Sequence, residues 1–307
     1  MNSSSSRLNL DQSEDFQKIL SVFSDYITEK IDSLIPLPQG IERRVIEAMR
    51  YTAINGGKRL RPLIVVECAN IFSVPKEKSI WAGIAVELVH SYSLIHDDLP
   101  VMDNDITRRG KPTCHVAFDE ATALLAGDGL LTLAFKILSD PRTHSDARIR
   151  SLLVDSLSSA AGPYGMISGQ MLDLLTERVP YSKSEVLRLY KLKTGLLIAS
   201  ACEFGCILGN ADSKSSSILR DFGINLGIAF QIADDLLDYT NSADQSNAEI
   251  SNQNTKIEHS IVSVYGPERS RILAKEFINK AISSLKSFGN EARVLRYIAS
   301  FAIQRSY

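Results

Sequence analysis

Apolar residues recur every three or four positions along most of this chain, and no convincing run of residues alternates. From Phe16 to Leu34 they fall at Phe16, Leu20, Phe23, Ile27, Ile31 and Leu34, the stripe of an amphipathic helix. Val45, Met49 and Ala53 continue the pattern until Gly56 and Gly57 stop it, and Pro62 suits the first turn of the next helix. The same period predicts helices over 80–95, 120–138, 147–161, 184–208, 218–238, 268–287 and 291–303. Pro141, Gly162-Pro163, Pro180 and Gly266-Pro267 punctuate them. Leu63–Glu67 (LIVVE) has strand propensity, but its helical flanks argue for helix. No fixed-period repeat and no inter-domain linker occurs. Asn241–Lys256 reads as a mobile polar loop, and the serine-rich first ten residues read as a frayed, disordered terminus. The expected architecture is all-α, one domain over residues 1–307.

Composition narrows the class. A chain of 307 residues with 44% hydrophobic and 23% charged residues can bury a sizeable core. Its net charge of −2 lacks the basic surplus of nucleic-acid binders. The four cysteines (68, 114, 202 and 206) form no CxxC pair and read as reduced core residues, pointing to a cytoplasmic protein. The first residues lack an apolar signal core. The apolar runs are interrupted before membrane-spanning length, as by Asp128 within ALLAGDGLLTLAF, so no transmembrane segment is expected.

Two acidic clusters carry the chemistry. In HDDLPVMDNDITRRGKP (96–112) a long apolar segment delivers Asp97 and Asp98 at its end, which is costly without a counter-charge. Pro100 ends the helix, so Asp103 can fold back across a short bulge to face them. Three converging carboxylates with no sulfur ligand suit a hard ion, Mg2+ in particular, completed by substrate phosphates. Arg108 and Arg109 follow at once, and a guanidinium fork matches phosphate oxygens. The second cluster, QIADDLLD (231–238), has no proline. Gln231, Asp234, Asp235 and Asp238 therefore share one helix face beside a buried stripe of Phe222, Leu226, Phe230, Ala233 and Leu237. Either cluster alone could be a solvated acidic face; together they can grip a polyanion through several Mg2+ ions.

HSYSLIHDDLPVMDNDITRRGKPT (90–113) and QIADDLLD resemble the two aspartate-rich motifs of the trans-prenyl diphosphate synthases. GGKRLRP (56–62), GQMLDL (169–174) and KTG (193–195) match that family's order and spacing. The resemblance covers roughly residues 40–240. It implies a helical bundle around a central cavity, usually a homodimer. It also implies Mg2+-dependent head-to-tail condensation of isopentenyl diphosphate with an allylic diphosphate. Asp97, Asp98 and Asp103, with Asp234, Asp235 and Asp238, would hold the metal, three ions with substrate bound. Arg108 and Lys193 would add fixed positive charge to the allylic diphosphate, with Thr194 and Gln231 as neutral donors; Gln170 and Asp173 would orient Lys193. Lys58 and Arg61, at a helix start, would meet isopentenyl diphosphate, with His90 and Arg109 completing that site. Tyr92 and Ser93, about one turn before Asp97, would set chain length. Tyr92 with the Pro100–Val101 spacer matches the bacterial farnesyl-type pattern, a fifteen-carbon product.

One departure stands out. The family follows its second cluster with a loop bearing glycine and lysine, and here the matching basic positions hold Ala248 and Glu258. Gln253 replaces the usual aspartate, and only Lys256 lies nearby. Losing such contacts would remove charge-assisted bonds. The chain therefore reads either as an active short-chain synthase or as a partner subunit of a heteromeric one. A helical terpene cyclase also uses acidic clusters, but GGKRLRP, a metal-free phosphate site, speaks against it.

Overall fold

The structure is a computed structural model, and it describes residues 4–35, 37, 40–176, 182–244 and 260–304. Among these residues the protein is all-α apart from one two-stranded hairpin. The described residues cluster into two compact units. One contains the chain up to Val66 and Pro75–Val154; the other contains Glu67–Val74 and the chain from Asp155 onward.

In the first unit, α1 (Ser4–Leu34), α2 (Arg43–Ile54), the start of α3 (Leu60–Ile71) and α4 (Lys76–Asp97) follow the predicted stripes. Ile27 and Ile31 of α1 and Leu63 and Ile64 of α3 are fully enclosed, as are Ile84 and Leu88 of α4. A strand over LIVVE would have put half of these residues on a second face; the helix buries all but Glu67. After the hairpin β1 (Thr107–Arg108) and β2 (Lys111–Pro112) come α5 (Cys114–Ala117), α6 (Glu120–Ser139) and the start of α7 (Ala147–Ala161). Asp119 caps α6 by accepting from the backbone N–H of Thr122 at 2.8 Å. The hairpin was not expected, because two-residue strands are too short to show alternation.

The second unit carries α8 (Met166–Thr176), α9 (Lys183–Tyr190), a π-helical turn over Lys191–Gly195, α10 (Leu196–Leu208) and α11 (Ser213–Asp244). It ends with α12 (Ile261–Tyr265), α13 (Pro267–Ser284), a 3-10 stretch over Leu285–Ala292 and α14 (Arg293–Gln304). The single helix expected over 184–208 is thus interrupted by a π-turn, which widens the coil at Lys193 and Thr194. Helix α11 runs further than expected, to Asp244; residues 245–259, which include most of the polar loop with Ala248, Gln253 and Lys256, and Glu258 after it, lie outside the described residues. At the amino end α1 already begins at Ser4, so residues 4–10 are helical rather than frayed. Val186, Leu189, Ile228, Ile232, Leu236, Ile261 and Ala274 form a core cluster in this unit.

Candidate active site

Helix α4 ends as its sequence requires. Asp97 is its last residue and Asp98 its C-cap, with φ −71° and ψ −16°. Beyond Pro100 the chain doubles back: the Asp103 N–H donates to the Asp97 carbonyl at 2.9 Å, and the Asn104 N–H donates to that of Leu99 at 3.1 Å. Asn104 takes up the positive φ of this reversal, 54°. The expected return of Asp103 to Asp97 is present in the backbone.

The expected convergence of all three carboxylates is not. Asp98 is buried and pairs with Arg108, whose Nε donates to its Oδ1 at 2.8 Å and whose Nη2 lies 2.6 Å from the same oxygen. Arg108 also reaches Asp105, at 3.1 Å. Burial raises the Asp98 carboxyl above the ordinary carboxylate range, against the pull of Arg108. The counter-charge that the buried helix end demanded is therefore supplied by the arginine ten residues on. Among the described residues no three of His, Cys, Asp and Glu are placed to hold an ion by themselves. Oxygen donors alone, few from protein, still suit Mg2+, which keeps waters and takes phosphate oxygens.

The charges of four arginines act on His90. The Arg108–Lys111 turn of the hairpin has positive φ at both central residues, Arg109 (54°) and Gly110 (75°), the type I′ geometry that matches strand twist. It sends Arg109 to the end of α2, where Nη1 donates to the Gly56 carbonyl at 2.9 Å. Gly56 and Gly57 both have positive φ, and a Cβ on Gly57 would sit 2.7 Å from Arg109 Nη1; GGKRLRP needs glycine there for two reasons. Lys58 is exposed, and Arg61 lies in the first turn of α3. Burial, then the charges of Arg61, Arg109, Arg108 and Arg59, hold His90 well below the usual imidazole value. Three residues before His90 on α4, Glu87 belongs to a buried ion pair. Arg59 Nη1 donates to Glu87 Oε1 at 2.8 Å and Nη2 to the Ala53 carbonyl at 2.7 Å, with both residues buried. Glu87 and His90 have the Glu-x-x-His spacing of a di-iron helix, but this carboxylate is committed to Arg59.

Tyr92 is buried, and its ring meets that of His96 edge-on at 5.7 Å. Burial, with Asp97 adding to it, pushes the phenol up to about 12. His96 Nε2 donates to the Leu124 carbonyl of α6 at 3.0 Å, and a Cβ on Gly127 would fall 2.1 Å from that nitrogen. His96, given no role from sequence, thus fixes one side of Tyr92. The Ser93 hydroxyl instead turns back to the His90 carbonyl at 2.9 Å.

In the second unit the π-turn presents Lys193 and Thr194. Helix α8 crosses it at Gly169, where a Cβ would lie 2.3 Å from the Lys193 nitrogen, and α11 crosses it at Gly227, 2.5 Å from Gly195 Cα. Lys193 Nζ pairs with Asp173. Gln170 does not join that pair: its amide nitrogen is buried without a hydrogen-bond partner among the described residues. The Thr194 hydroxyl donates to Gln231 Oε1 at 3.0 Å, and Gln231 Nε2 to Asp235 Oδ1 at 3.3 Å. Asp235 also accepts from Tyr190. Burial raises the Asp235 carboxyl to about 7, although both of these donors pull it down. Asp234 and Asp238 are exposed on the same helix.

A family model described as polyprenyl synthetase matches residues 42–299. The chain belongs to that family. Farnesyl diphosphate synthase of Escherichia coli strain K12 is 39% identical over 269 residues, covering 85% of this chain and 89% of the relative. That of Micrococcus luteus is 36% identical over 290 residues, covering 94% and 99%. A crystal structure of an FPP/GFPP synthase from Zymomonas mobilis, 40% identical, superposes with a TM-score of 0.87 over 95% of this chain and 99% of that one. This member of the polyprenyl synthetase family is a prenyltransferase that elongates prenyl chains.

Proposed function

We propose that this prenyltransferase is a Mg2+-dependent farnesyl diphosphate synthase, joining isopentenyl diphosphate to dimethylallyl or geranyl diphosphate. What supports it is the placing of Arg109 against the Gly56 carbonyl, in the turn that carries Lys58 and Arg61, a set of cations able to take a diphosphate without a metal. There Lys58, Arg61 and Arg109 bind the isopentenyl diphosphate. Asp97 and Asp103, with Asp234 and Asp238, would hold Mg2+, which when bound neutralises the departing diphosphate. Lys193, held by Asp173, adds a fixed cation for the allylic diphosphate, and Thr194 and Gln231 contact the same substrate. No protein nucleophile is required: the allylic C–O bond breaks, the double bond of isopentenyl diphosphate attacks, and a proton leaves to the bound diphosphate. Tyr92 limits the product to fifteen carbons.

The same reading makes the protein one catalytic domain and a cytoplasmic homodimer. Helix α6 is the described helix long and apolar enough to cross a membrane by length and composition, and 39% of its apolar window is buried. Leu124 and Leu125 on it are exposed. A second copy covering that face accounts for both facts without a membrane.

Turnover of purified protein with Mg2+, labelled isopentenyl diphosphate and each allylic starter tests the reading, with products resolved by length. A farnesyl product lost on chelation supports it; folded protein without product from any starter sinks it. A second reading, a partner subunit of a heteromeric synthase, is favoured by Ala248 and Glu258 in place of the family's loop cations. It requires inactivity alone and activity restored by a homologous subunit.

A further inference from the structure

Tyr190 ends α9 immediately before the π-turn and is buried. Its hydroxyl has two partners. It accepts from the backbone N–H of Ile261, the first residue of α12, at 2.9 Å, and it donates to Asp235. A phenol has a single proton, so with its lone pair engaged by Ile261 the proton is committed to the carboxylate. The other oxygen of Asp235 accepts from Gln231 Nε2 at 3.3 Å. Gln231 then has its nitrogen fixed toward Asp235 and its oxygen toward Thr194, whose hydroxyl donates at 3.0 Å. An amide alone has two nearly equivalent orientations; here an ionised Asp235, which can only accept, selects one.

We infer that Tyr190 is a positioning residue for the allylic diphosphate site, fixing the Gln231 amide through Asp235 and the Thr194 hydroxyl through Gln231. The inference rests on the substrate role proposed above for Thr194 and Gln231. It gives Asp235 an internal task and leaves Asp234 and Asp238, which are exposed, as the metal-facing carboxylates of the second cluster. It also ties that cluster to the start of α12 at Ile261.

The test is a double-mutant cycle of Tyr190→Phe and Gln231→Ala, read in turnover and in calorimetric binding of geranyl diphosphate with Mg2+. Phenylalanine keeps the ring and its packing and removes only the hydroxyl. Tyr190→Phe is expected to lower kcat/KM for geranyl diphosphate roughly tenfold, as for loss of one hydrogen bond to a charged group. KM for isopentenyl diphosphate should stay within about twofold, since that site lacks this relay. In the Gln231→Ala background the same change should cost less than about twofold. Equal losses in both backgrounds, no loss in either, or an equal rise in both KM values would overturn the inference. If Tyr190→Phe melts below the assay temperature, Asp235→Asn replaces it in the cycle with the same expectations. Wild type that binds geranyl diphosphate without turning over defeats the proposed activity while the binding cycle still decides on Tyr190. Wild type that does not bind it overturns both.

Discussion

Arg59 and Glu87 are joined at 2.8 Å with side chains only 1% and 4% exposed, Glu87 standing three residues before His90 on α4. Arg59 holds a positive φ of 50° to make this contact, a conformation a non-glycine residue adopts at a cost. The pair pins the GGKRLRP turn from inside, so that Lys58 and Arg61 are presented on either side of a fixed point.

Truncating one partner of that pair leaves a buried charge without its counter-ion. Glu87→Ala or Arg59→Ala should cost about 3–5 kcal/mol of stability. Denaturant midpoints at unchanged m-value would measure it, and a loss under about 1 kcal/mol would contradict the pinning role.

Product length should respond to Tyr92 and to the ring beside it. Tyr92→Ala should shift product from fifteen to twenty or more carbons. His96→Ala should do so partially, because it frees one side of the Tyr92 ring. Chromatography of dephosphorylated products gives the answer; an unchanged distribution for Tyr92→Ala would remove it from the control of product length.

Asp97 and Asp98 are adjacent but differently engaged, and their variants should separate. Asp97→Ala should abolish turnover without loss of fold, since Asp97 is half-buried at the helix end. Asp98→Ala leaves Arg108 with Asp105 alone and should lower both activity and melting temperature. Circular dichroism melts beside turnover would show whether the two phenotypes divide this way.

The Asp235 carboxyl sets a pH dependence in metal-free protein. Its folded value, about 7, lies above the ordinary 3.8, so the folded state binds its proton more tightly than the unfolded state. Its contribution to stability is full below about pH 4 and is lost as pH rises toward 7. Melting temperatures in chelator should carry this decline, and Asp235→Asn should flatten it; a variant retaining the full slope would assign the titration elsewhere.

Much of this was legible in the chain. The helical stripes of α1 and α6 follow from residues three and four apart, because burying one face leaves no other arrangement for them, and the long apolar segment of α4 is buried all round from Ala82 to Val89. Pro100 was enough to place Asp97 and Asp98 at a helix end and to return Asp103 to them. Three things were not legible. The π-turn at Lys193 lies where α8 and α11 cross closely at Gly169 and Gly227, contacts made by residues distant in sequence. Asp98 was read with Asp97 and Asp103 because spacing tells which residues are near, not which of them is buried and owed a cation. Tyr190 and Arg59 carried no signal beyond an aromatic and a basic residue beside known motifs, since their partners lie 45 and 28 residues away.

The hairpin turn has a further consequence for Arg108 and Arg109. One peptide separates them, yet Arg108 reaches Asp98 and Arg109 reaches the carbonyl of Gly56. The pairing of Arg108 with Lys111 across two residues of positive φ sets which guanidinium goes which way. Adding or deleting a single residue in that turn would slip the register and exchange the faces of neighbouring side chains. Both cations would still be present, in the same number and nearly the same place, with their addresses swapped.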